Sequence, residues 1–415
     1  MSLRTYHDPL HHGITLDSNN PAEAMVMELI DSGPFQRLRR IKQLGPAFLT
    51  FHGAESSRFT HSLGVFHIAR KALKRLKEID PEIIKFQGTL YGAALLHDLG
   101  HSPLSHTGEE MFGLKHEIWT ANLIRNCAEI RNPLEAFSEG TAEEVANLIE
   151  KEQASPTIIK ALVSSQLDCD RLDYLLRDSY STGTRYGQLD LERILSALTI
   201  APDGELAIHP KGLLAVEHYL VVRNLMYRSV YNHRLNEVCS WLLEQLIRVA
   251  RELGPTKIWA DQCMAKWLWQ AKEMDLETFL DNDDIRTSYH LMRWKKDAPP
   301  VLSELCKRFL DRKLLKAIDV NHLNSKEQLD ALVKARKLVE KQGKDPDKLC
   351  TIRHQRIDSY QPYKRGLRLW DGDQLKSLEK VSPVIQGLTN PANAAWLIHP
   401  KEIHENLKKE LNINP

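Results

Sequence analysis

The sequence predicts a mainly α-helical protein with a small α+β appendage at its C-terminal end. Apolar residues recur at helical spacing along most of the chain. Residues that favour strands gather between Leu349 and Trp370, and a hairpin pattern surrounds Asp203-Gly204. A chain of 415 residues can form a large core and two or three domains. We expect an N-terminal segment with a basic helix, a helical core, a helical extension and the appendage over residues 1–50, 51–250, 251–340 and 341–415.

The composition carries no strong charge bias. Lysine and arginine total 56 against 55 aspartates and glutamates, so no overall field attracts nucleic acid or an anionic membrane. Six scattered cysteines without a CxxC pair argue against a disulfide framework and a thiolate zinc site. No apolar run approaches the ~18 residues of a membrane span. These features predict a cytoplasmic protein without a membrane or nucleic-acid partner.

The N-terminal segment contains turn signals and then a helix. Residues 1–20 are predicted to form turns or a short strand pair, with His11 and His12 at the surface. A helix is expected from Ala22 to Ile30, and Asp31-Ser32-Gly33-Pro34 ends it and starts the next one.

That next helix, predicted from Phe35 to Leu44, is basic. It places Arg37, Arg39, Arg40 and Lys42 between apolar residues. The basic residues form either a solvated face whose stems cover the core or a face that binds phosphate.

Two segments before residue 100 bring candidate ligands to helix ends. An irregular stretch leads into Arg58-Phe59-Thr60-His61-Ser62, which starts a helix. The Arg58 guanidinium can donate paired hydrogen bonds to a phosphate. His61, taken by itself, is typical of a hydrogen-bonded histidine at the start of a helix. The apolar run Leu90 to Leu96 then delivers His97-Asp98 to the end of a buried helix. This pair either binds a metal ion or forms a structural ion pair.

Histidines are concentrated in the twenty residues from His97 to His116. Ser105 is predicted to begin a helix in which His106 and Glu109 share one face and can form an acid/base pair. His116 heads the following helix. Four histidines in this short stretch indicate a functional site.

Two later helices carry polar residues at helical spacing. Asp170, Tyr174 and Asp178 recur every four residues, facing either solvent or the histidines, and their spacing does not decide between the two. A long helix is expected from Leu213 to Leu246, and its aromatic and guanidinium groups serve either core packing or nucleotide stacking. The sequence contains no glycine-rich phosphate loop.

The ordered residues His61, His97-Asp98 and Asp170 reproduce the H…HD…D signature of the HD-domain phosphohydrolases. Over roughly residues 4 to 320 the chain more closely resembles the deoxynucleoside triphosphate triphosphohydrolase (dNTPase) branch. This branch includes bacterial dNTPases and the vertebrate SAM-and-HD-domain protein. The resemblance implies that residues 51–250 form an HD helical core and that the chain hydrolyses dNTPs to deoxynucleoside and inorganic triphosphate.

The resemblance also assigns roles to residues. It implies one divalent metal ion, which is Mn, Fe, Ni, Zn or Mg, held by His61, His97, Asp98 and Asp170. The catalytic positions fall on His106, Glu109 and His116. The residues that match substrate contacts are Gln43, Arg58, Arg171, Tyr174, Asp178, Arg223, Tyr227 and Tyr231.

Three positions depart from the vertebrate pattern. Glu109 replaces an aspartate, Arg171 a lysine and Tyr227 a histidine. The first change alters the reach of the carboxylate toward His106. The other two indicate a different base or sugar preference.

Regulated members of the family suggest an activating nucleotide between subunits of a homotetramer or a dimer of dimers. The residues that match such a regulatory site are Asp31, Gln36, Arg39, Arg193, Lys211, Arg312 and Lys316. Two alternatives stay open at this point: a nucleotide phosphomonoesterase or phosphodiesterase of the same superfamily, and a nucleotide sensor that has lost turnover.

Overall fold

The computed structural model describes residues 3–150, 156–357, 360–362 and 366–412, and it confirms a mainly α-helical fold. The α-helices of the described residues are α1 (Pro21–Asp31), α2 (Gly33–Arg37), α3 (Arg58–Lys77), α4 (Gln87–Leu96), α5 (His106–Phe112), α6 (His116–Asn126), α7 (Ala128–Phe137), α8 (Thr141–Glu150), α9 (Thr157–Val163), α10 (Cys169–Thr182), α11 (Leu191–Ser196), α12 (Leu213–Met226), α13 (Arg234–Leu253), α14 (Gln262–Trp269), α15 (Leu276–Leu280), α16 (Asp284–Asp297), α17 (Pro300–Leu310), α18 (Ser325–Glu340), α19 (Leu378–Val381), α20 (Pro383–Gly387) and α21 (His404–Glu410). The strands are β1 (Leu3–Asp8), β2 (His12–Asp17), β3 (Leu198–Ile200), β4 (Leu206–Ile208), β5 (Lys316–Asp319), β6 (Thr351–Ile357), β7 (Arg368–Trp370), β8 (Leu375–Ser377) and β9 (Ala392–His399).

The helical core is built around α3 and α4, which pack on each other, with α10 against α3 and α8 against α4. Leu90, Leu95 and Leu96 of α4 are fully buried. Because burial of these side chains holds the whole helix inside the core, α4 ends in the interior and places His97 and Asp98 there. In the part of the chain that the structure describes, no helix is both long and apolar enough to cross a lipid bilayer.

The N-terminal strand pair is confirmed, since β1 and β2 pair antiparallel from Leu3–Asp17 to Asp8–His12. The surface position expected for His11 is wrong. Its side chain is buried, and its Nε2 lies 2.6 Å from Asp173 Oδ1 on α10. The reason is that the turn between the strands folds back against α10.

Two predicted helices are shorter than expected. The segment after α2 continues only as a 3-10 turn to Arg40, because Lys42 pairs with Ser57 in an extended bridge. The stretch from residue 213 to 246 is interrupted by a π-helical turn at Tyr227–Tyr231, after which α13 starts at Arg234. Widened turns of this kind are frequent at functional sites.

The basic residues at the end of α2 and just after it have protein partners. Arg37 is fully buried, and its Nε donates to the Asn282 carbonyl at 2.9 Å. Arg40 pairs with Asp283, and Lys42 pairs with Glu55. Arg37 is therefore part of the core, whereas Arg39 and Arg40 are exposed and Arg40 and Lys42 already have carboxylate partners.

The C-terminal part contains the expected small α+β structure and is tied to the core. The predicted hairpin is formed by β3 and β4. Strand β7 pairs with β4 in parallel, and β8 pairs with β7 antiparallel. A second sheet has the order β5-β9-β6, with all pairs antiparallel and α18 packed on it. The four domain boundaries given above stay predictions.

Candidate metal centre and active site

Four side chains from three elements lie close together in the core, and the ligand atoms of His61, His97 and Asp170 all lie within 4.8 Å of one another. The first turn of α3 supplies His61, the end of α4 supplies His97 and Asp98, and the first turn of α10 supplies Asp170. The His61 Nε2 atom lies 3.1 Å from Asp170 Oδ1, 3.5 Å from Asp98 Oδ2 and 3.3 Å from His97 Nε2. The His97 Nε2 atom lies 3.4 Å from Asp98 Oδ2 and 3.7 Å from Asp170 Oδ1.

These spacings fit a divalent cation. Ligands that bind an ion at about 2.0–2.2 Å lie roughly 3.0–3.6 Å from each other. The Nδ1–H of His97 donates to the Ala94 carbonyl at 3.0 Å, and the Nδ1–H of His61 donates to Asp173 Oδ2 at 2.7 Å. Both rings therefore turn Nε2 toward the common point, as metal-binding imidazoles do. Two nitrogens with two carboxylates suit Mn, Fe, Ni, Zn or Mg, so the donor set fits an ion without selecting one.

Asp173 forms a second layer behind His61. It accepts from His61 and His11, and Arg177 donates to both of its oxygens at 2.8 and 2.9 Å. Although burial favours the neutral acid, the Arg177 guanidinium outweighs it and holds the pKa of Asp173 well below its usual range. Gly64 on α3 lets this pair approach, because a Cβ there would overlap the Asp173 carboxylate.

The electrostatics of the cluster call for positive charge at its centre. Burial disfavours a charged imidazole, but hydrogen bonds to Asp170 and Asp173 prevail and raise the pKa of His61 to about 10. Burial also disfavours the charged Asp98 carboxylate, yet the neighbouring Arg58 and His97 hold its pKa well below the usual range. A divalent cation supplies the same charge when it is bound.

Adding Mn²⁺ is expected to stabilise the metal-free protein. An ion that binds only the folded chain raises the free energy of unfolding by about 2.7 kcal/mol at a hundredfold excess over Kd. Thermal unfolding of chelator-treated protein, with and without Mn²⁺, measures the shift. The His61→Ala variant is expected to lose it, and an equal shift in that variant would contradict the site.

Arg58 connects this cluster to the neighbouring loops. Its Nη1 donates to Asp98 Oδ2 at 2.5 Å, its Nε to Ser105 Oγ at 2.9 Å and its Nη2 to the Gln43 carbonyl at 3.2 Å. A guanidinium has five N–H donors, so two are left after these three bonds. Arg58 thus fixes Asp98 and keeps donors for a ligand oxygen.

The predicted catalytic residues meet beside the cluster. Glu109 Oε1 accepts from His106 Nδ1 at 2.8 Å and from His116 Nδ1 at 2.7 Å. Burial favours the neutral acid, but the two imidazoles outweigh it and hold the pKa of Glu109 well below its usual range. The His106 side chain is 71% exposed, so its other ring nitrogen is open to a substrate. Glu109 therefore reaches His106 despite being longer than the family's aspartate.

His101 belongs to this site and was not assigned a role from the sequence. It is fully buried and stacks on His116 with ring centroids 4.1 Å apart. Its Nε2 lies 3.1 Å from Asp98 Oδ1. Burial and the nearby Arg58 lower its pKa well below the usual value. The four-residue spacing from His97 was the available signal, but the turn at Gly100 obscured it.

Most of the predicted substrate residues line one wall of the site. The Tyr174 and Tyr227 hydroxyls are 3.2 Å apart, the Tyr231 ring packs on both of these rings, and the Arg223 guanidinium lies 5.6 Å from the Tyr227 ring centre. Tyr231 donates to Asp178 Oδ2 at 2.9 Å. The π-helical turn brings Tyr227 and Tyr231 to this wall.

Gln43 and Arg171 occupy the edges of the site. Gln43 lines a cavity of about 220 Å³ together with Ser105, His106 and Tyr231. Arg171 is paired with Asp168, the N-cap residue of α10. Asp170, Tyr174 and Asp178 lie on the inner side of α10, where they contact His61, Tyr227 and Tyr231, respectively. Their spacing alone allowed either solvent or the histidines as the facing side, and these contacts show that they face the site.

Asp178→Asn is expected to change how stability depends on pH. Burial raises the pKa of Asp178 to about 7, so between about pH 4 and pH 7 the folded chain binds a proton that the unfolded chain does not. This carboxylate therefore costs stability as the pH rises. The variant should gain roughly 2.5 kcal/mol relative to the parent from pH 5 to pH 8. Urea unfolding across this range measures the gain, and parallel curves would contradict it.

The residues matched to a regulatory site fall into three surface groups. Arg39 donates to Gln36, and Gln36 in turn donates to the Ile30 carbonyl beside Asp31. Arg193 donates to the Lys211 carbonyl at 2.7 Å. Arg312 and Lys316 line one surface cavity. Within one chain the three groups lie on separate elements, so a joint site stays a prediction.

Comparisons with known proteins agree with this geometry. The chain matches the HD domain over residues 58–178 and the HD associated region over residues 189–411. It is 32% identical over 412 residues to the protein YwfO of Bacillus subtilis, covering 96% of this chain and 93% of that protein. It is 28% identical over 310 residues to the deoxynucleoside triphosphate triphosphohydrolase SAMHD1 homolog of Dictyostelium discoideum, covering 66% of this chain and 60% of that protein.

Solved structures share the whole architecture. The crystal structure of a phosphohydrolase from Bacteroides thetaiotaomicron has a TM-score of 0.82 and 26% identity, covering 96% of this chain and all of that chain. His61, His97, Asp98 and Asp170 all lie within the matched HD domain. The chain is therefore a member of the HD-domain phosphohydrolase family, with an HD associated region, and is similar to deoxynucleoside triphosphate triphosphohydrolases.

Proposed function

We propose that this protein hydrolyses deoxynucleoside triphosphates to deoxynucleoside and inorganic triphosphate with one divalent metal ion. The observation that carries the proposal is a cluster of His61, His97 and Asp170 that could hold a metal ion, with Asp98 beside it. The Glu109 pair of imidazoles flanks this cluster on one side, and a tyrosine wall flanks it on the other. The cluster with its neighbouring imidazoles suits phosphoryl chemistry, and the tyrosine wall suits the sugar and base of a nucleotide. Similarity to the Dictyostelium triphosphohydrolase supports the same substrate class.

The protein's own residues divide the chemistry between them. An ion at the cluster would withdraw charge from a phosphate oxygen. Arg58 directs its remaining donors to the α-phosphate while water attacks phosphorus. His106, oriented by Glu109, donates a proton to the departing 5′-oxygen, so that the deoxynucleoside leaves as a neutral alcohol.

Nucleotide selection falls to the wall of the site. Tyr174 and Asp178 carry polar groups suited to the sugar, and Arg223 and Tyr227 present flat surfaces for the base. Tyr227 in place of the family's histidine alters the donors offered to the base. We therefore expect unequal turnover of the four dNTPs.

We also propose a homo-oligomer, either a tetramer or a dimer of dimers, that a nucleotide activates at its subunit interface. The support is the family resemblance at the three surface groups. Sedimentation with and without nucleotides tests this part separately from the chemistry. A monomer under both conditions would remove it.

Separation of reaction products tests the main proposal. Purified protein with Mn²⁺ is given each dNTP alone and then all four together, and the products are separated by anion-exchange chromatography. Deoxynucleoside and inorganic triphosphate are expected, and turnover confined to mixtures would indicate activation. Deoxynucleoside monophosphate with pyrophosphate would reject the reaction and favour another hydrolase of the superfamily. No turnover of any nucleotide would favour a sensor.

A further inference from the structure

A buried carboxylate on α16 holds two backbone segments next to the active site. Asp284 is only 7% exposed. Its Oδ1 accepts a hydrogen bond from the Leu104 N–H at 2.7 Å, and its Oδ2 accepts one from the Lys42 N–H at 2.9 Å. Asp284 lies outside the matched HD domain, so the HD associated region contributes this contact.

The Leu104 segment is strained. Leu104 and Ser105 have φ of +63° and +57°, a backbone region that residues other than glycine rarely adopt. His106, the first residue of α5, follows directly. Strained backbone persists only where surrounding contacts hold it, and Asp284 bonds the first strained residue. Gly45 packs so closely on the Leu104 carbonyl that a Cβ there would overlap it.

The Lys42 segment leads to Arg58. The Ser105 hydroxyl donates to the Lys42 carbonyl at 2.6 Å and accepts from Arg58 Nε at 2.9 Å. Lys42 also pairs with Ser57, the residue before Arg58. Asp284 thus closes a ring of hydrogen bonds that includes both segments and the guanidinium bound to Asp98.

We propose that Asp284 is a positioning residue, which fixes the Lys42 and Leu104 segments so that His106 and Arg58 face the reacting phosphate. This inference rests on the proposed function. An ionised carboxylate offers acceptors on both oxygens, whereas an amide offers them on one. The two N–H donors therefore match a carboxylate and leave one donor unsatisfied when the residue is asparagine.

The residue before it provides a matched control. Asp283 is also 7% exposed, and it caps α16 by accepting from the Ile285 and Arg286 N–H groups. Asp283 pairs with Arg40 and does not bond Lys42 or Leu104. Because asparagine is an equally good N-cap, Asp283→Asn keeps α16 capped and weakens the pair with Arg40, but it leaves the Asp284 bonds to the Lys42 and Leu104 N–H groups in place.

Kinetics of Asp284→Asn and Asp283→Asn test the inference at pH 8, where Asp284 is ionised because burial raises its pKa only to about 6. With Mn²⁺ and the dNTP that the parent hydrolyses best, Asp284→Asn should lower kcat about 30- to 100-fold while KM changes less than about threefold. Bound Mn²⁺ should match the parent. Asp283→Asn should stay within about threefold of the parent. Equal kcat losses in the two variants, or loss of Mn²⁺ in Asp284→Asn, would overturn the inference.

Amide hydrogen exchange provides a readout that does not depend on turnover. Peptides that contain Leu104 and Lys42 should exchange at least about tenfold faster in Asp284→Asn than in Asp283→Asn. Unchanged exchange would overturn the inference even if the parent proves to act on another substrate. If Asp284→Asn does not fold, Asp284→Glu keeps the charge but shifts the two segments, and the same loss of kcat is expected. A parent that hydrolyses no dNTP would reject the proposed function while exchange still decides about Asp284.

Discussion

Replacing Asp170 by asparagine is expected to abolish metal binding and to lower kcat by roughly 10³-fold or more. Asp170 Oδ1 is the ligand from α10 and lies 3.1 Å from His61 Nε2. An amide is a neutral and weaker ligand, so the cluster keeps one carboxylate instead of two. Metal content by mass spectrometry and turnover under excess Mn²⁺ measure the two effects.

Asp190→Asn is the control for Asp170→Asn. Asp190 caps the exposed start of α11, and asparagine caps a helix equally well. It should bind metal and turn over substrate as the parent does. If Asp170→Asn binds one ion and keeps more than about a tenth of the parental kcat, the ligand set is wrong.

The second large effect is expected from Glu109→Gln, which should lower kcat by about 10²-fold or more while the ion stays bound. The carboxylate accepts from both His106 and His116 through one oxygen, and an amide removes the charge that orients the two rings. KM and the Mn²⁺-induced rise in melting temperature should change little. This combination separates loss of proton donation from loss of the metal centre.

Glu109→Asp is the matched variant because it keeps the charge and shortens the reach. We expect it to retain turnover within about tenfold of the parent. If Glu109→Gln and Glu109→Asp lose kcat to the same extent, the length of the side chain rather than its charge matters at this position. That result would contradict the assigned role of Glu109.

Local patterns in the sequence were enough to predict the His97-Asp98 pair at a buried helix end and the helix that brings His106 and Glu109 together. His97-Asp98 follows an unmistakable apolar run, and His106 and Glu109 have helical spacing within one short element. Such patterns are local and are visible in a single chain. The assignment of His61 and Asp170 to the same cluster required the family resemblance, because they lie on separate helices.

The residues that support the cluster were not predictable in this way. His11 reaches Asp173 across 162 residues, and Asp284 reaches Leu104 across 180. Contacts of this kind depend on tertiary packing, which leaves no periodic signal. The π-helical turn at Tyr227 also escaped detection, because apolar spacing continues across a widened turn.

One contact links the C-terminal appendage to the candidate active site. Arg353 on β6 donates to Glu110 of α5 at 2.7 Å, next to Glu109. It also contacts Glu237 and Glu244 of α13. The appendage therefore contacts the helix that carries His106 and Glu109.

Hydrolysis in ¹⁸O-labelled water tests the central claim most directly. The wild-type chain with Mn²⁺ and its best dNTP is quenched after a single time point, and mass spectrometry follows the label. Because water attacks the α-phosphorus and the bond to the 5′-oxygen breaks, the account predicts one ¹⁸O in inorganic triphosphate and none in the deoxynucleoside. Label in deoxynucleoside monophosphate, in orthophosphate or in the deoxynucleoside would contradict it.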